Sequence, residues 1–324
     1  MRRALLLYNP ESGRRRGRRA ADVQAAAAAL KAAGVEPMLE PTRAPGSAAQ
    51  QTRAAIERGC DGVIVCGGDG SVHDVLPAVV GTQVALGVIP LGTTNGLAND
   101  LGLPRNPAEA APLLAKARTL PIALARIEYT RPDRESESRY WIMGAGIGAD
   151  AYMFYRLTLR SKQLWGMAAY GTESARQWLT HDFPLFTVEF QGHDGETRRE
   201  RVSQVLAVRI TWFGGLLRKL APGAALIRPD FQLVLFKTRS RMSFLRYMMG
   251  VWTNRPYSRP DIEIVRCTEC RCFPLETGNQ KLETRIYAEA DGELLGTLPV
   301  TVTMSGETVN LLVPRTAASK SAVL

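Results

Sequence analysis

The first third of the chain alternates short, wholly apolar runs with longer runs in which apolar residues recur at helical spacing. "ALLLYNP" (residues 4–10) opens as a continuous apolar run, as in a strand covered on both faces. "ADVQAAAAALKAAG" (21–34) is alanine-rich and stops at Gly34, a residue suited to the left-handed turn past a helix end. "VEPMLEPT" (35–42) reads as a second, weaker strand. "SAAQQTRAAIERG" (47–59) reads as a helix with Ser47 as N-cap and Gly59 beyond its end. Two further strands, in "DGVIVCGGDG" (61–70) and "VALGVIPLGTTN" (84–95), each run straight into a glycine loop. "NPAEAAPLLAKA" (106–117) closes the series, with Asn106 as cap and Pro107 at the first helical position. This βαβα order predicts a doubly wound, mostly parallel α/β domain over residues 1–122.

After residue 122 the texture changes. Runs rich in β-branched and aromatic residues, separated by turns, follow one another: "RYWIMGAG", "PLFTVEFQGHDGE", "RVSQVLAVRITWF", "FQLVLFK", "DIEIVRC", "TRIYAEADGE", "LPVTVTMS" and "TVNLLVP". They predict an antiparallel β domain over residues 123–304, with helical insertions near 150–180 and 242–253. "TRPDRESESR" reads as a charged hairpin tip. The segment 305–316 is expected to pack back on the first domain, and the tail 317–324 to be disordered.

Composition narrows the class. The chain has 324 residues, 45% hydrophobic and 22% charged, which suits a soluble two-domain protein. No apolar run approaches the roughly 20 residues that a membrane-spanning helix needs. The apolar stretch in "MRRALLLYNP" is too short for a secretory signal, so a cytoplasmic location is expected. The five cysteines (Cys60, Cys66, Cys267, Cys270 and Cys272) are an odd count and read as free thiols. "CTECRC" lacks the fourth ligand that a closed zinc site requires.

The net charge of +10 calls for a polyanionic partner (nucleic acid, an anionic membrane or a phosphorylated ligand) or a solubility role. Arginines crowd "GRRRGRR" (Arg14 to Arg19) and recur in "KTRSRMSFLRYMMGVW", where they interleave with Met, Phe, Tyr and Trp. No zinc knuckle, aromatic RNA-binding pattern or helix-turn-helix signature accompanies them, so nucleic acid is not the expected partner. The second segment suits a peripheral contact with an anionic membrane surface, and equally a solvated basic face over a core helix. Self-association into a homodimer is left open.

The two glycine loops carry the chemistry. A strand ending in "GGDG" and followed by a helix gathers backbone N–H groups and a helix N-terminus around one point. Gly67, Gly68 and Gly70 are therefore candidates for a phosphate cradle, since no Cβ obstructs an anion there. Asp69 cannot itself favour phosphate; it acts through Mg²⁺ or pins the loop. "PLGTTN" adds Thr93, Thr94 and Asn95, short polar groups suited to a nucleotide or phosphate. "NPESG" is a third loop at the same sheet edge, where open α/β sheets bind ligands. Neither the dinucleotide fingerprint nor the P-loop pattern occurs.

Taken in order, "NPESG", "GGDGS", "PLGTTN" and a late "ADGE" followed by "LPVTV" resemble the diacylglycerol kinase catalytic family, soluble lipid kinases that include sphingosine, ceramide and bacterial phosphatidylglycerol kinases. The resemblance runs from about residue 4 to 314. It implies an ATP- and Mg²⁺-dependent enzyme of lipid metabolism, with ATP in a cleft between the α/β domain and a β-sandwich. By that match Asn9, Ser12, Gly13 and Thr42 contribute to the nucleotide site, Gly67, Gly68, Asp69, Gly70 and Ser71 line the phosphates, and Thr94 and Asn95 lie close by. Glu293 matches the general base toward the lipid hydroxyl, with Asp69 its catalytic partner; Asp69 and Asp291 are the candidate metal ligands. Without the resemblance, Asp291-Gly292 reads as a plain hairpin turn. The pattern departs from the family at Ala123 and Gly96, where aspartates are usual, and at "IRPD", where Asp230 is the only acid left of a metal-binding element.

These readings lead to a lipid kinase with diacylglycerol as the default acceptor, and ceramide, a sphingoid base or phosphatidylglycerol as alternatives. Acyl chains would lie along a groove that "YMFYRLTL" and "LWGMAAYG" are candidates to line. An NAD-kinase-like small-molecule kinase and a non-catalytic nucleotide- or lipid-binding regulator are the competing classes.

Overall fold

The computed structural model of the protein describes residues 1–11, 16–131, 133, 135–152, 181–192, 195–214, 217–253, 260–275 and 285–315. Strands β1 (Arg3–Tyr8), β2 (Glu36–Pro41), β3 (Gly62–Gly67) and β4 (Ala85–Pro90) run parallel in the order β2-β1-β3-β4. Every residue of β3 and β4 is buried, as are the four central residues of β1. Strands so apolar need cover on both faces. Helix pairs supply it: α1 (Arg19–Ala32) packs with α5 (Pro107–Ala115), and α2 (Ala48–Glu57) with α3 (Asp69–Val79). β2 lies at the edge of the sheet and is only half-buried, which explains its weaker sequence pattern.

Local chemistry sets the ends of these elements. Gly34 (φ 84°) and Gly59 (φ 88°) take the left-handed turns after α1 and α2. Asn106 accepts a hydrogen bond from the Ala108 amide at 3.2 Å, with Pro107 opening α5. Ser47 stands at the start of α2 but does not cap it. Its hydroxyl oxygen accepts from the Arg43 and Ala44 amides (3.2 and 3.1 Å), because the tight turn before the helix presents those donors first.

The second half is an antiparallel sandwich. One layer holds β16 (Tyr287–Ala290), β7 (Gly144–Gly148), β10 (Gln204–Val208), β13 (Phe231–Phe236) and β14 (Ile262–Cys267). The other holds β6 (Ser136–Trp141), β5 (Arg118–Thr130), β17 (Glu293–Val313), β15 (Glu269–Phe273), β8 (Phe186–Gln191) and β9 (Thr197–Val202). Trp141, Ile147, Phe186, Val205 and Phe231 fill the space between them. A short ribbon, β11 (Trp212–Gly214) with β12 (Leu217–Arg218), and helix α6 (Arg241–Trp252) also belong to this half. Residues 149–152 begin a helix; the remainder of the insertion expected near 150–180, with both segments assigned to an acyl groove, lies outside the described residues, as does the tail 317–324.

The sequence predicts separate strands for "LPVTVTMS" and "TVNLLVP", yet the structure runs them, from Glu293 onward, as the single 21-residue strand β17. Register shifts at Thr297/Val300 and Met304/Thr308, with Gly306 at φ 74°, absorb the twist that so long a strand accumulates. β17 pairs with β16 at its start, with β15 in its middle, and at Asn310 and Leu311 runs parallel to β4. It therefore belongs to both halves.

Leu311 is fully buried on β17 between Leu86 and Leu120. Leu311→Ala should destabilise the protein by ~2–5 kcal/mol. Denaturant unfolding should show the lower midpoint as one shifted transition, because the two halves share the strand.

Candidate active site

The two glycine loops touch. β3 ends at Gly67 and α3 begins at Asp69, so the first-turn amides of α3 point out of the carboxyl edge of the sheet. A Cβ on Gly92 would lie 2.4 Å from the Gly68 Cα, and one on Gly68 would lie 3.1 Å from the Gly92 Cα. Only glycine at both positions allows that approach. The Leu91 and Gly92 amides both donate to the Gly67 carbonyl (3.0 and 3.2 Å), closing one loop on the other. A Cβ on Gly67 would meet the Ser71 hydroxyl at 2.7 Å, so Ser71 folds back over the strand end.

Asn95 is expected to bond the nucleotide, but its amide is committed to its own loop. Buried and left-handed (φ 56°), it accepts from the Gly92 amide (2.8 Å) and donates to the Gly92 carbonyl (2.9 Å). Asp69 pins the loops together: it accepts from the Gly96 and Leu97 amides (2.9 and 3.2 Å) at the start of α4 (Gly96–Asp100). Burial nonetheless holds its carboxyl above the usual carboxylate range. Arg19, last of the arginine run, turns inward and donates to the Leu91 carbonyl at 2.8 Å. Thr94 is exposed, and Thr42 and Asn9 are half-exposed. Asn9 and Thr42 follow β1 and β2, at the same sheet edge as the glycine loops. Ser12 and Gly13 lie outside the described residues.

Glu293 comes to this edge from the sandwich. Asp291 (φ 49°) and Gly292 (φ 84°) form a two-residue turn between Ala290 and Glu293, the plain hairpin that "DGE" also reads as. A Cβ on Gly70, in the first turn of α3, would lie 3.0 Å from Glu293 Oε1. Arg139 holds the other oxygen, Nη2 to Oε2, at 2.7 Å. Arg139 Nε donates in turn to His73 Nε2. His73 Nδ1 faces Asp291 Oδ2 at 3.7 Å. Nothing in the sequence joins Arg139, His73 and Glu293; they meet only because β6, α3 and the β16–β17 hairpin converge.

Asp291 does not stand as an open metal ligand. Its carboxylate is enclosed and accepts from three amides: Ile142 at 2.8 Å, Met143 at 2.8 Å and Gly144 at 3.1 Å. It staples the β6–β7 connection to the hairpin that presents Glu293. Asp74, one turn along α3, is the further carboxylate close to Glu293; burial first, and the Glu293 charge second, push it upward. No group of three His, Cys, Asp or Glu side chains is arranged to hold a metal among the described residues. All five cysteines are buried free thiols.

Residues 3–127 match the diacylglycerol kinase catalytic domain, and residues 144–313, more than half of the chain, match the YegS C-terminal NAD kinase beta sandwich-like domain. The chain belongs to the diacylglycerol kinase catalytic family. It is 26% identical over 314 residues to a diacylglycerol kinase of Bacillus subtilis, covering 96% of this chain and 94% of that protein. A diacylglycerol kinase of Mycobacterium tuberculosis is 39% identical over 123 residues, 38% of this chain and 39% of that one. The fold matches the crystal structure of a diacylglycerol kinase from Bacillus anthracis with a TM-score of 0.68 at 18% identity, over 97% of this chain and 98% of the other.

One departure from the family pattern, Gly96, has a local cause in this kinase. A Cβ on Gly96 would meet Met143 Sδ at 3.0 Å, so an aspartate there would displace the sandwich residue packed against the loop. Asp230 is held by Arg228 (2.8 Å) and Arg266 (3.7 Å). Ala123 lies on β5 opposite Thr308; the structure offers no reason for alanine there. Two further tethers left no sequence signal. Asp100 accepts from the Thr211 and Trp212 amides (2.8 and 3.1 Å), tying α4 to the sandwich. Glu289 and Asp150 hydrogen-bond each other over Gly146, where a Cβ would come within 2.8 Å of an oxygen of each. Glu289 also accepts from the Gly292 amide at 2.9 Å, bracing the hairpin from behind.

Gly92→Ala should force the loops apart; nucleotide affinity should fall at least about tenfold, roughly 1.4 kcal/mol, measured by calorimetric titration with ATP. Burial raises both carboxyls of the Glu289–Asp150 pair, Asp150 to about 6, against unfolded values near ~4. The folded state thus holds the extra proton of Asp150 between about pH 4 and 6, and that of Glu289 to higher pH, so each carboxyl's contribution to stability is lost as pH rises through its own folded pKa. Melting curves of wild type and Glu289→Gln should therefore converge, or cross in favour of the variant, as pH goes from 4 to 7.

Proposed function

We propose that this kinase transfers the γ-phosphoryl group of ATP to a lipid hydroxyl, with diacylglycerol as the acceptor. The observation that carries this reading is the approach of Glu293, a carboxylate from the sandwich, to Gly70 at the N-terminus of α3. A carboxylate there has little value to an anion-binding loop unless something with a proton to lose comes between them. The diacylglycerol kinase of Bacillus subtilis, similar over 94% of its length, supports the choice of acceptor.

Phosphoryl transfer asks a protein mainly for positioning and charge stabilisation. The N-terminus of α3, with Gly67, Gly68 and Gly70 leaving its amides open, receives the phosphate charge. The Gly68–Gly92 contact and the Asp69 bonds to α4 hold both loops in one arrangement. Glu293 accepts the proton of the attacking hydroxyl, and Arg139 holds its side chain in place. Asp74 lies close enough to feel the Glu293 charge. Mg²⁺ arriving with ATP would neutralise phosphate charge; Asp69, whose oxygens each hold one amide and keep a lone pair, fits a place behind it, whereas Asp291 does not.

Transfer of labelled phosphate from γ-labelled ATP to diacylglycerol in mixed micelles tests the reading. Ceramide, a sphingoid base and phosphatidylglycerol would be run alongside. Glu293→Gln should lower kcat by at least about 10²-fold with little change in ATP affinity. Binding of ATP with no lipid labelled would point instead to a non-catalytic protein, with Ala123 and Gly96 as the lost positions.

A further inference from the structure

Among the described residues, four large apolar side chains stand out from the surface: Ile227, Met242, Met249 and Trp252, each about half exposed. Three of them share helix α6. Its inner face is filled: Ser243, Tyr247 and Val251 are buried, the last two in a cluster with Val208, Phe236 and Ile262 on the sandwich. Met242, Leu245, Met249 and Trp252 follow at i, i+3, i+7 and i+10, a stripe on the opposite side that no core position requires. Two-sided apolar character is unusual in a surface helix and marks a contact.

The charge beside the stripe says which contact. "RMSFLRYMMGVW" carries Arg241 and Arg246, both exposed, and no carboxylate; Arg241 also donates to the His181 carbonyl at 3.1 Å, a neutral acceptor. Arg239, just before the helix, donates to the Asp182 carbonyl (3.1 and 2.9 Å), a neutral acceptor. Behind the helix, Asp261 accepts from the Ser243 hydroxyl. The helix is also fastened to the cleft. Tyr247 donates to the Leu220 carbonyl, next to the β11–β12 ribbon, and a Cβ on Gly214 of that ribbon would lie 3.3 Å from the Thr94 carbonyl in the second glycine loop.

We propose that α6 docks this protein on an anionic lipid bilayer. Met242, Met249 and Trp252 enter the boundary between headgroups and acyl chains, while Arg241 and Arg246 lie against lipid phosphates. The purpose of such docking rests on the lipid-kinase reading, but the docking itself is tested without turnover.

The test is co-sedimentation of the whole protein with phosphatidylcholine vesicles, with and without phosphatidylglycerol. Wild type should partition onto the anionic vesicles. Met249→Ser combined with Trp252→Ser should lower the partition coefficient about tenfold or more. Arg246→Glu should lower it by about fivefold or more, less so in high salt. Unchanged melting midpoints would show that the variants fold, and turnover of a short-chain, water-soluble diacylglycerol should match wild type. Variants that sediment like wild type would overturn the proposal. So would a wild-type dimer dispersed by Met249→Ser and Trp252→Ser without vesicle binding, which would make this face an interface between copies. Vesicle binding with no lipid phosphorylated would leave docking standing and remove the kinase reading alone.

Discussion

The geometry of the site depends on one continuous strand. β17 runs for 21 residues, with Glu293 at its start and its last residues hydrogen-bonded to β4, the strand that leads into the second glycine loop. A carboxylate and the loops it faces are thus placed by backbone hydrogen bonds within one sheet network. Side-chain contacts across a mobile cleft alone would hold them far less firmly. β5 pairs with β17 from Thr297 to Val313 and stiffens it along most of that length.

Around this frame, separate segments of the chain are tied together through backbone amides held by carboxylates, within each half and, at Asp100, between them. Asp69 holds Gly96 and Leu97, Asp100 holds Thr211 and Trp212, and Asp291 holds Ile142, Met143 and Gly144. Each joins two separate segments of the chain, and each is a charge-assisted bond of the stronger kind. The acids that a sequence reader would reserve for metal are partly occupied in this way. Glu293 differs: its partner is the guanidinium of Arg139, and its side chain remains accessible.

Glycine has two uses here. At Gly68 and Gly92 it lets two backbones come closer than any side chain would allow. At Gly146 it opens room for the two carboxyls of Asp150 and Glu289, which brace the Glu293 hairpin from inside the sandwich. The first use is visible as a motif; the second is hidden within an ordinary-looking "GAGIGAD".

Sequence alone determined what depends on neighbours along the chain. Wholly apolar β1, β3 and β4, the left-handed glycines after α1 and α2, the Asn106 cap and the paired glycine loops follow from periodicity and local sterics, and the ordered motifs point to the family. What sequence could not decide depends on residues far apart in the chain meeting in space. That Asp291 holds three amides was settled by how the strands of the sandwich pair, and that Arg139 and His73 stand behind Glu293 and that Gly96 faces Met143 by how the sandwich docks on the α/β sheet. The fusion of two expected strands into β17 has the same origin: the break in pattern near Gly306 marks a bend, and only pairing with β5 and β4 carries the strand through it.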